Sequence, residues 1–338
     1  MRTTTHGIRR VISACVLVVG FIAAVSLSSS VAAAASCTAT GFVRGGVDLT
    51  AALVNPGTVS GVVDATGCNV GVYFGPGSHG QVMHADIFGA NEFGVVNNGG
   101  SVNVMNSSIH NIGEVPFNGL QQGVGIYWAF GAPSSGNIMN NTVSQYQKGG
   151  ITVNGGSAVI HGNTVTGLGP VDFIAANGIQ VANGATADIA NNTVSGNSYT
   201  GDGQTQSTGI LVFGGCFGYQ LTPGISIHNN VLRNNDIGIA VENWNDTCTA
   251  QTAVMTGENV HNNVITNDEQ TNVSGNGCSS SCQGYQAGIT DIGDGDSIHN
   301  NSISGIGYTP AVDTASMFIV PIDLSLATDP SVHNNDIG

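Results

Sequence analysis

The sequence predicts an all-β fold, a parallel β-helix of about nine coils behind a short N-terminal cap. Three observations carry that prediction. An Asn-containing phrase recurs along most of the chain, a Gly-aliphatic phrase precedes it, and the composition suits a long, thin core. Charged residues make up only 8% of the chain and hydrophobic residues 41%, which is enough apolar surface to build a core and too much for a disordered chain.

The Asn phrase runs aliphatic residue, polar positions, Asn-Asn or a near variant, one residue, then an aliphatic residue. Its instances are Ile138-Met-Asn-Asn-Thr-Val143, Ile160-His-Gly-Asn-Thr-Val165, Ile189-Ala-Asn-Asn-Thr-Val194, Ile227-His-Asn-Asn-Val-Leu232, Val260-His-Asn-Asn-Val-Ile265, Ile298-His-Asn-Asn-Ser-Ile303 and Val332-His-Asn-Asn-Asp-Ile337. Weaker copies end at Ile87 and Ile109. Steps between the final aliphatic residues range from 22 to 38. A 22-residue minimum with additions is what three short strands and three turns of variable length give. The second phrase reads Gly125-Ile-Tyr-Trp128, Gly150-Ile-Thr-Val153, Gly178-Ile-Gln-Val181, Gly209-Ile-Leu-Val212 and Gly238-Ile-Ala-Val241. Alternation of this kind marks a strand with one face buried. Each coil therefore reads as strand one, a turn, strand two, the Asn turn, strand three and a last turn. Leucine-rich repeats and propellers fit badly, since neither the Leu consensus nor regular blades are present.

From the N-terminus, residues 1–36 read as a signal peptide. Arg2, Arg9 and Arg10 precede the apolar run Val11 to Leu27, and a small-residue cleavage site ends near Ala35 or Ser36. The protein is expected to be secreted, with no stable membrane insertion once the signal is cleaved. Residues 37–60 are the expected N-terminal cap segment, with Asp48 to Val54 as a short helix-like apolar stretch, and 61–338 the β-helix. Beyond the signal, three cationic side chains (Arg44, Lys148 and Arg233) face 21 Asp and Glu, a net charge of −18. That balance excludes nucleic acid and anionic membrane surfaces as partners and favours cations or calcium-bridged acidic polymers.

Six cysteines remain after the signal, and an even count in an exported chain predicts disulfides. Cys216 and Cys248 follow strand one in adjacent coils, so stacking places them side by side. Cys278 and Cys282 share one long loop, and Cys37 and Cys68 would tie the cap to the first coil.

The repeat resembles that of the pectate-lyase-like right-handed parallel β-helix superfamily, over roughly residues 60–338. The resemblance implies an asparagine ladder, in which stacked side-chain amides hydrogen-bond from coil to coil. Asn106, Asn140, Asn191 and Asn300 head N-x-Ser/Thr triplets. As ladder members they are expected to be buried and poor glycan acceptors, which leaves Asn245 and Asn272 in loops. The resemblance also implies polymer binding along the outward side chains of strand one, here Tyr73, Tyr127, Thr152, Gln180, Leu211 and Ala240. Tyr127, Gln180 and Glu242 are the substrate-binding candidates. In calcium-dependent lyases of this superfamily a lysine is the base and aspartates hold the metal. By resemblance, Lys148 would be the base and Asp172 and Asp202 would hold calcium. The chain departs from the polygalacturonase pattern, lacking its Asn-Thr-Asp, Asp-Asp and Gly-His-Gly set. No carboxylate pair can be assigned acid and base roles for glycoside hydrolysis.

Two further groups stand out. His228, His261, His299 and His333 share one coil position, and stacked imidazoles read first as a ladder and second as a transition-metal site. Asp291-Ile-Gly-Asp-Gly-Asp296 reads as an acidic turn without a full EF-hand loop. The expected function is binding, with lyase-type cleavage, of an acidic extracellular polysaccharide along the strand-one groove. The alternative is a non-catalytic extracellular structural or adhesion protein.

Overall fold

The structure is a computed structural model that describes residues 36–201, 205–272, 284–311 and 317–338. The described residues are all-β, with a single 3-10 turn at Cys216–Gly218. Two long sheets hold every strand of the described residues, one of eleven and one of eighteen strands. The first sheet collects the Gly-aliphatic strands, among them Val124–Trp128, Gly149–Val153, Asn177–Ala182, Thr208–Gly214, Ile237–Asn243 and Gly284–Ile292. Neighbours in it pair in parallel across turns and strands of the second sheet. Long parallel sheets in which each repeat contacts only the next are compatible with a solenoid.

Register explains the repeat. One inward row runs Val72, Val95, Ile126, Ile151, Ile179, Ile210, Ile239 and Ile289, each directly paired with the next and each fully buried. Truncating one such isoleucine to alanine removes contacts to both neighbouring repeats and costs roughly 2–5 kcal/mol. The glycine ahead of each isoleucine has its own cause. A Cβ on Gly150 would lie 2.6 Å from the Gly178 carbonyl oxygen and 2.4 Å from Val165, so only glycine lets the strand pack on the second sheet.

The Asn turn divides its work between two residues. The first of each pair takes a left-handed backbone, with φ of 55° at Asn140, 57° at Asn191 and 55° at Asn300. The second turns inward and forms the ladder: Asn141, Asn163, Asn192, Asn230, Asn263 and Asn301 each donate from Nδ2 to the next Oδ1 at 2.9–3.0 Å, ending on half-buried Asn335. The remaining Nδ2 proton goes to a strand carbonyl, as from Asn192 to Ile160 at 2.8 Å. Every buried amide is thus used, as burial requires. This corrects the expected fate of the triplets. Asn106, Asn140, Asn191 and Asn300 are exposed, because the left-handed residue turns outward and its successor turns in. Asn272, expected in an open loop, is instead fully buried and donates to the Tyr199 and Thr205 carbonyls.

The N-terminal segment also differs from expectation. Residues Asp48 to Val54 are not helical; Val47–Val54 is a strand that buries Leu49 and Ala51 on alternate positions. It pairs antiparallel with Thr38–Arg44 and in parallel with Val70–Phe74, so the first sheet ends on an antiparallel ribbon. Cys37–Cys68 and Cys216–Cys248 are both bridged, as the loop positions predicted. Cys278 and Cys282 lie outside the described residues. No described helix is long and apolar enough to cross a membrane.

Candidate functional site

The outer face of the first sheet carries the column anticipated from the alternation. Tyr73, Val96, Tyr127, Thr152, Gln180, Leu211, Ala240, Thr290 and Asp323 pair in sequence along it. The two ends of the column differ. Near the N-terminus Phe42 stacks on Tyr73 with ring centroids 6.0 Å apart, and Phe93 stacks on Tyr127 at 4.6 Å. Arg44 lies over the Phe93 ring and pairs with Glu92 at 2.8 Å. Tyr73 is buried there and Tyr127 half-buried, its hydroxyl accepting from the Phe130 backbone N–H.

Further along, the face opens into two adjoining cavities. One of about 310 Å³ is lined by Lys148, Asn177, Gln206, Thr208, Leu211 and Glu242 among others. The other, about 380 Å³, shares Gln206, Ile237 and Glu242 with it and continues to Tyr285, Thr290 and Asp323. Lys148 reaches this groove from the turn before Gly149, and its ammonium donates to the Ala175 carbonyl at 2.6 Å. No carboxylate among the described residues lies within ion-pair distance of it. Burial pulls its pKa below the ordinary lysine value. Burial pushes the half-buried Glu242 carboxyl the other way, against a hydrogen bond involving Trp244. At the far end Tyr285 donates to Asp323 at 2.7 Å, its hydroxyl also 2.9 Å from that of Thr290. The groove thus offers a lone ammonium, a carboxyl held toward its neutral form, and amides and hydroxyls spaced along a strand ladder.

Of the sequence candidates, Lys148 and Glu242 line the same cavity. Gln180 stands one column position away, its Oε1 accepting from Asn177 Nδ2 at 3.0 Å. Tyr127 belongs to the aromatic end. Asp172 is exposed and is not among the cavity-lining side chains, and Asp202 lies outside the described residues.

Asp236, one of the acids near strand one, is fully buried and serves the loops. It accepts from Ser198 and Thr271 hydroxyls and from the Tyr199 and Ser207 backbone N–H groups, at 2.8–3.2 Å. Burial outweighs these bonds and pushes its pKa up to about 6.

The histidine column is a hydrogen-bonded stack. The rings of His228, His261, His299 and His333 stand 5.0 Å apart and nearly parallel. Asn229 and Asn300 donate Nδ2 protons to Nδ1 of His228 and His299 at 3.0 Å, which places the ring proton of each on Nε2. Those Nε2 atoms face Asp188 at 2.9 Å and Asn259 at 3.2 Å, so both nitrogens of these two rings are already engaged.

Sequence reasoning missed a second acidic group below the groove. Glu258, Asp291 and Asp296 are 0%, 1% and 1% exposed. Burial, and then hydrogen bonding to and charge repulsion from Asp296, push the Glu258 and Asp291 carboxyls well above the usual carboxylate range. The Asp291–Asp296 spacing was the visible half of this signal; Glu258 stands before Asn259 as Asp296 stands before Ser297, and those two strands pair in register.

Compared with protein-family models, curated proteins and solved structures, the chain matches none of them.

Proposed function

We propose that the protein is a secreted, right-handed parallel β-helix of about nine coils, pectate-lyase-like in architecture, with residues 1–36 as its signal peptide and 61–338 as the helix. In this reading it binds an acidic polysaccharide along the outer groove of the first sheet. One observation carries the reading: Lys148, in a chain with so few cations, is half-buried in the groove beside Glu242 with no carboxylate neutralising it among the described residues. A partly desolvated ammonium without a counter-ion favours an anionic ligand, and a uronate supplies one on every residue of a polymer. The surrounding amides and hydroxyls suit sugar hydroxyls.

The same placement suits elimination. Once its ammonium has given up a proton, Lys148 would take the proton next to the sugar carboxylate, the C4–O bond would break, the departing oxygen would take a proton from a protonated Glu242, and a 4,5-unsaturated sugar would remain. The test is to incubate the mature protein with uronate polymers and a neutral glucan, with and without calcium. Retardation in polymer gels reads binding, and ultraviolet absorbance of unsaturated ends reads cleavage. Binding of the uronates but not the glucan, weakened in Lys148→Ala, is expected. No retardation by any uronate polymer would sink the reading and favour a non-catalytic structural module.

A further inference from the structure

The acids below the groove come from three separate elements. Glu258 immediately precedes the strand Asn259–His261, and Asp296 the strand Ser297–His299. Asp291 sits opposite Val241 in the first sheet, in the inward row otherwise filled by Val153, Val181 and Val212. A carboxylate has therefore taken an aliphatic position in the core.

Their partners are incomplete. Asp296 Oδ1 accepts from the Glu258 backbone N–H at 2.8 Å and the Thr256 hydroxyl at 3.2 Å. Glu258 Oε1 accepts from Asn243 Nδ2 at 2.7 Å. The other oxygens, Glu258 Oε2, both of Asp291 and Asp296 Oδ2, are buried without a well-formed hydrogen bond; Asp296 lies within reach of both other carboxyls, and the Gly293 backbone within reach of Asp291. No described lysine or arginine neutralises them: Arg44 is held by Glu92, Lys148 by Ala175, and Arg233 is exposed. Buried ionised carboxylates without a counter-charge cost far more than a fold can absorb. The chain nevertheless shapes itself to hold two of them together. A Cβ on Gly293 would lie 1.9 Å from Asp296 Oδ2 and 3.1 Å from Asp291 Oδ1, so that loop position must lack a side chain for these oxygens to approach.

We propose that Glu258, Asp291 and Asp296 form a buried site for one divalent cation, calcium, which locks the repeats beneath the groove. Four unpartnered oxygens from three carboxylates, with no sulfur or imidazole among them, are a hard donor set of the kind calcium prefers. As their side chains stand, no group of three acidic, His or Cys residues among the described residues is placed to hold a metal ion. The ion therefore completes its shell with water and a small inward rotation of these side chains, which calcium's flexible coordination permits. The site is separate from Lys148 and does not depend on the polysaccharide reading.

The experiment uses the full mature chain stripped with chelator, then titrated with calcium or magnesium chloride by calorimetry and thermal melting. One calcium per chain and a melting temperature raised by about 5 °C at saturating calcium are expected. Glu258→Gln and Asp291→Asn are each expected to weaken calcium roughly tenfold or more, since each removes one ligand charge. The exposed acid Asp268 serves as control, and Asp268→Asn is expected to leave binding unchanged. If a variant does not fold, the wild-type titration still decides, because no heat and no melting shift up to about 10 mM calcium overturns the site. Equal calcium binding in folded Glu258→Gln and Asp291→Asn overturns it as well.

Discussion

The outer face of the first sheet is sealed at its N-terminal end and grooved beyond Gln180. At the sealed end Phe42, from the antiparallel Thr38–Arg44 strand, covers Tyr73, and Tyr73, Phe93, Val96 and Val124 form an apolar cluster of their own. Beyond the aromatic end the same face carries Lys148, Glu242, Thr290, Tyr285 and Asp323 around open cavities. From Val70–Phe74 onward the strands pair in parallel and in register in both regions; only the terminal antiparallel ribbon shifts register. The difference lies in what the outward positions hold. Aromatic residues recruit a covering strand and end the sheet, which protects its edge. Polar residues with an uncompensated charge leave the face open for a ligand.

Mutations can break this comparison, beginning with the largest effect. Phe93→Ala removes a ring 2% exposed between Phe42 and Tyr127 and is expected to cost roughly 3–5 kcal/mol in urea unfolding. If it costs no more than a surface change, the seal is not structural. In the ladder beneath both regions, Asn192→Ala strands the Asn163 backbone N–H and Nδ2 and the Ile160 carbonyl, an expected loss of roughly 3 kcal/mol. Its neighbour Asn191, exposed at φ 57°, is expected to lose only about 1 kcal/mol on substitution by alanine.

The loops beside the groove supply a pH effect. Asp236 is pushed up to about 6 from an ordinary 3.8. The folded chain then holds its proton over a range where the unfolded chain has lost it. Stability therefore falls as pH rises from about 4 to about 6 and levels off above, by at most about 3 kcal/mol from this residue. Thermal melts of wild type and Asp236→Asn across that range should differ in slope; equal slopes would remove Asp236 as the cause. The smallest effect belongs to the groove itself. Half-buried Leu211→Ser is expected to change stability by less than about 1 kcal/mol while altering ligand binding.

Much of this was legible because a solenoid writes its packing as repetition. The Ile row, the outward column from Tyr73 to Ala240, the histidine stack and the Cys216–Cys248 disulfide follow from recurring positions. Other features depend on what repetition does not encode. Two adjacent asparagines are the same letter, yet only backbone handedness decides that Asn191 faces water and Asn192 joins the ladder. Asp48 to Val54 read as a short helix-like apolar stretch, whereas Val47–Val54 pairs with Val70–Phe74 as a strand. The groove pairs Lys148 with Glu242 across a long stretch of chain, and the acids below it join Glu258 and Asp296, equivalent positions of adjacent repeats, to Asp291 from the first sheet. Such contacts are set by the stacking of loops rather than by spacing in the chain.

The most direct measurement is a binding isotherm of a defined oligouronate on the mature protein and on Lys148→Ala. Saturable binding to the wild type, weakened roughly tenfold or more by loss of the ammonium and by added salt, is the predicted result. Equal binding by both proteins, or none by either, would contradict the assignment of the groove.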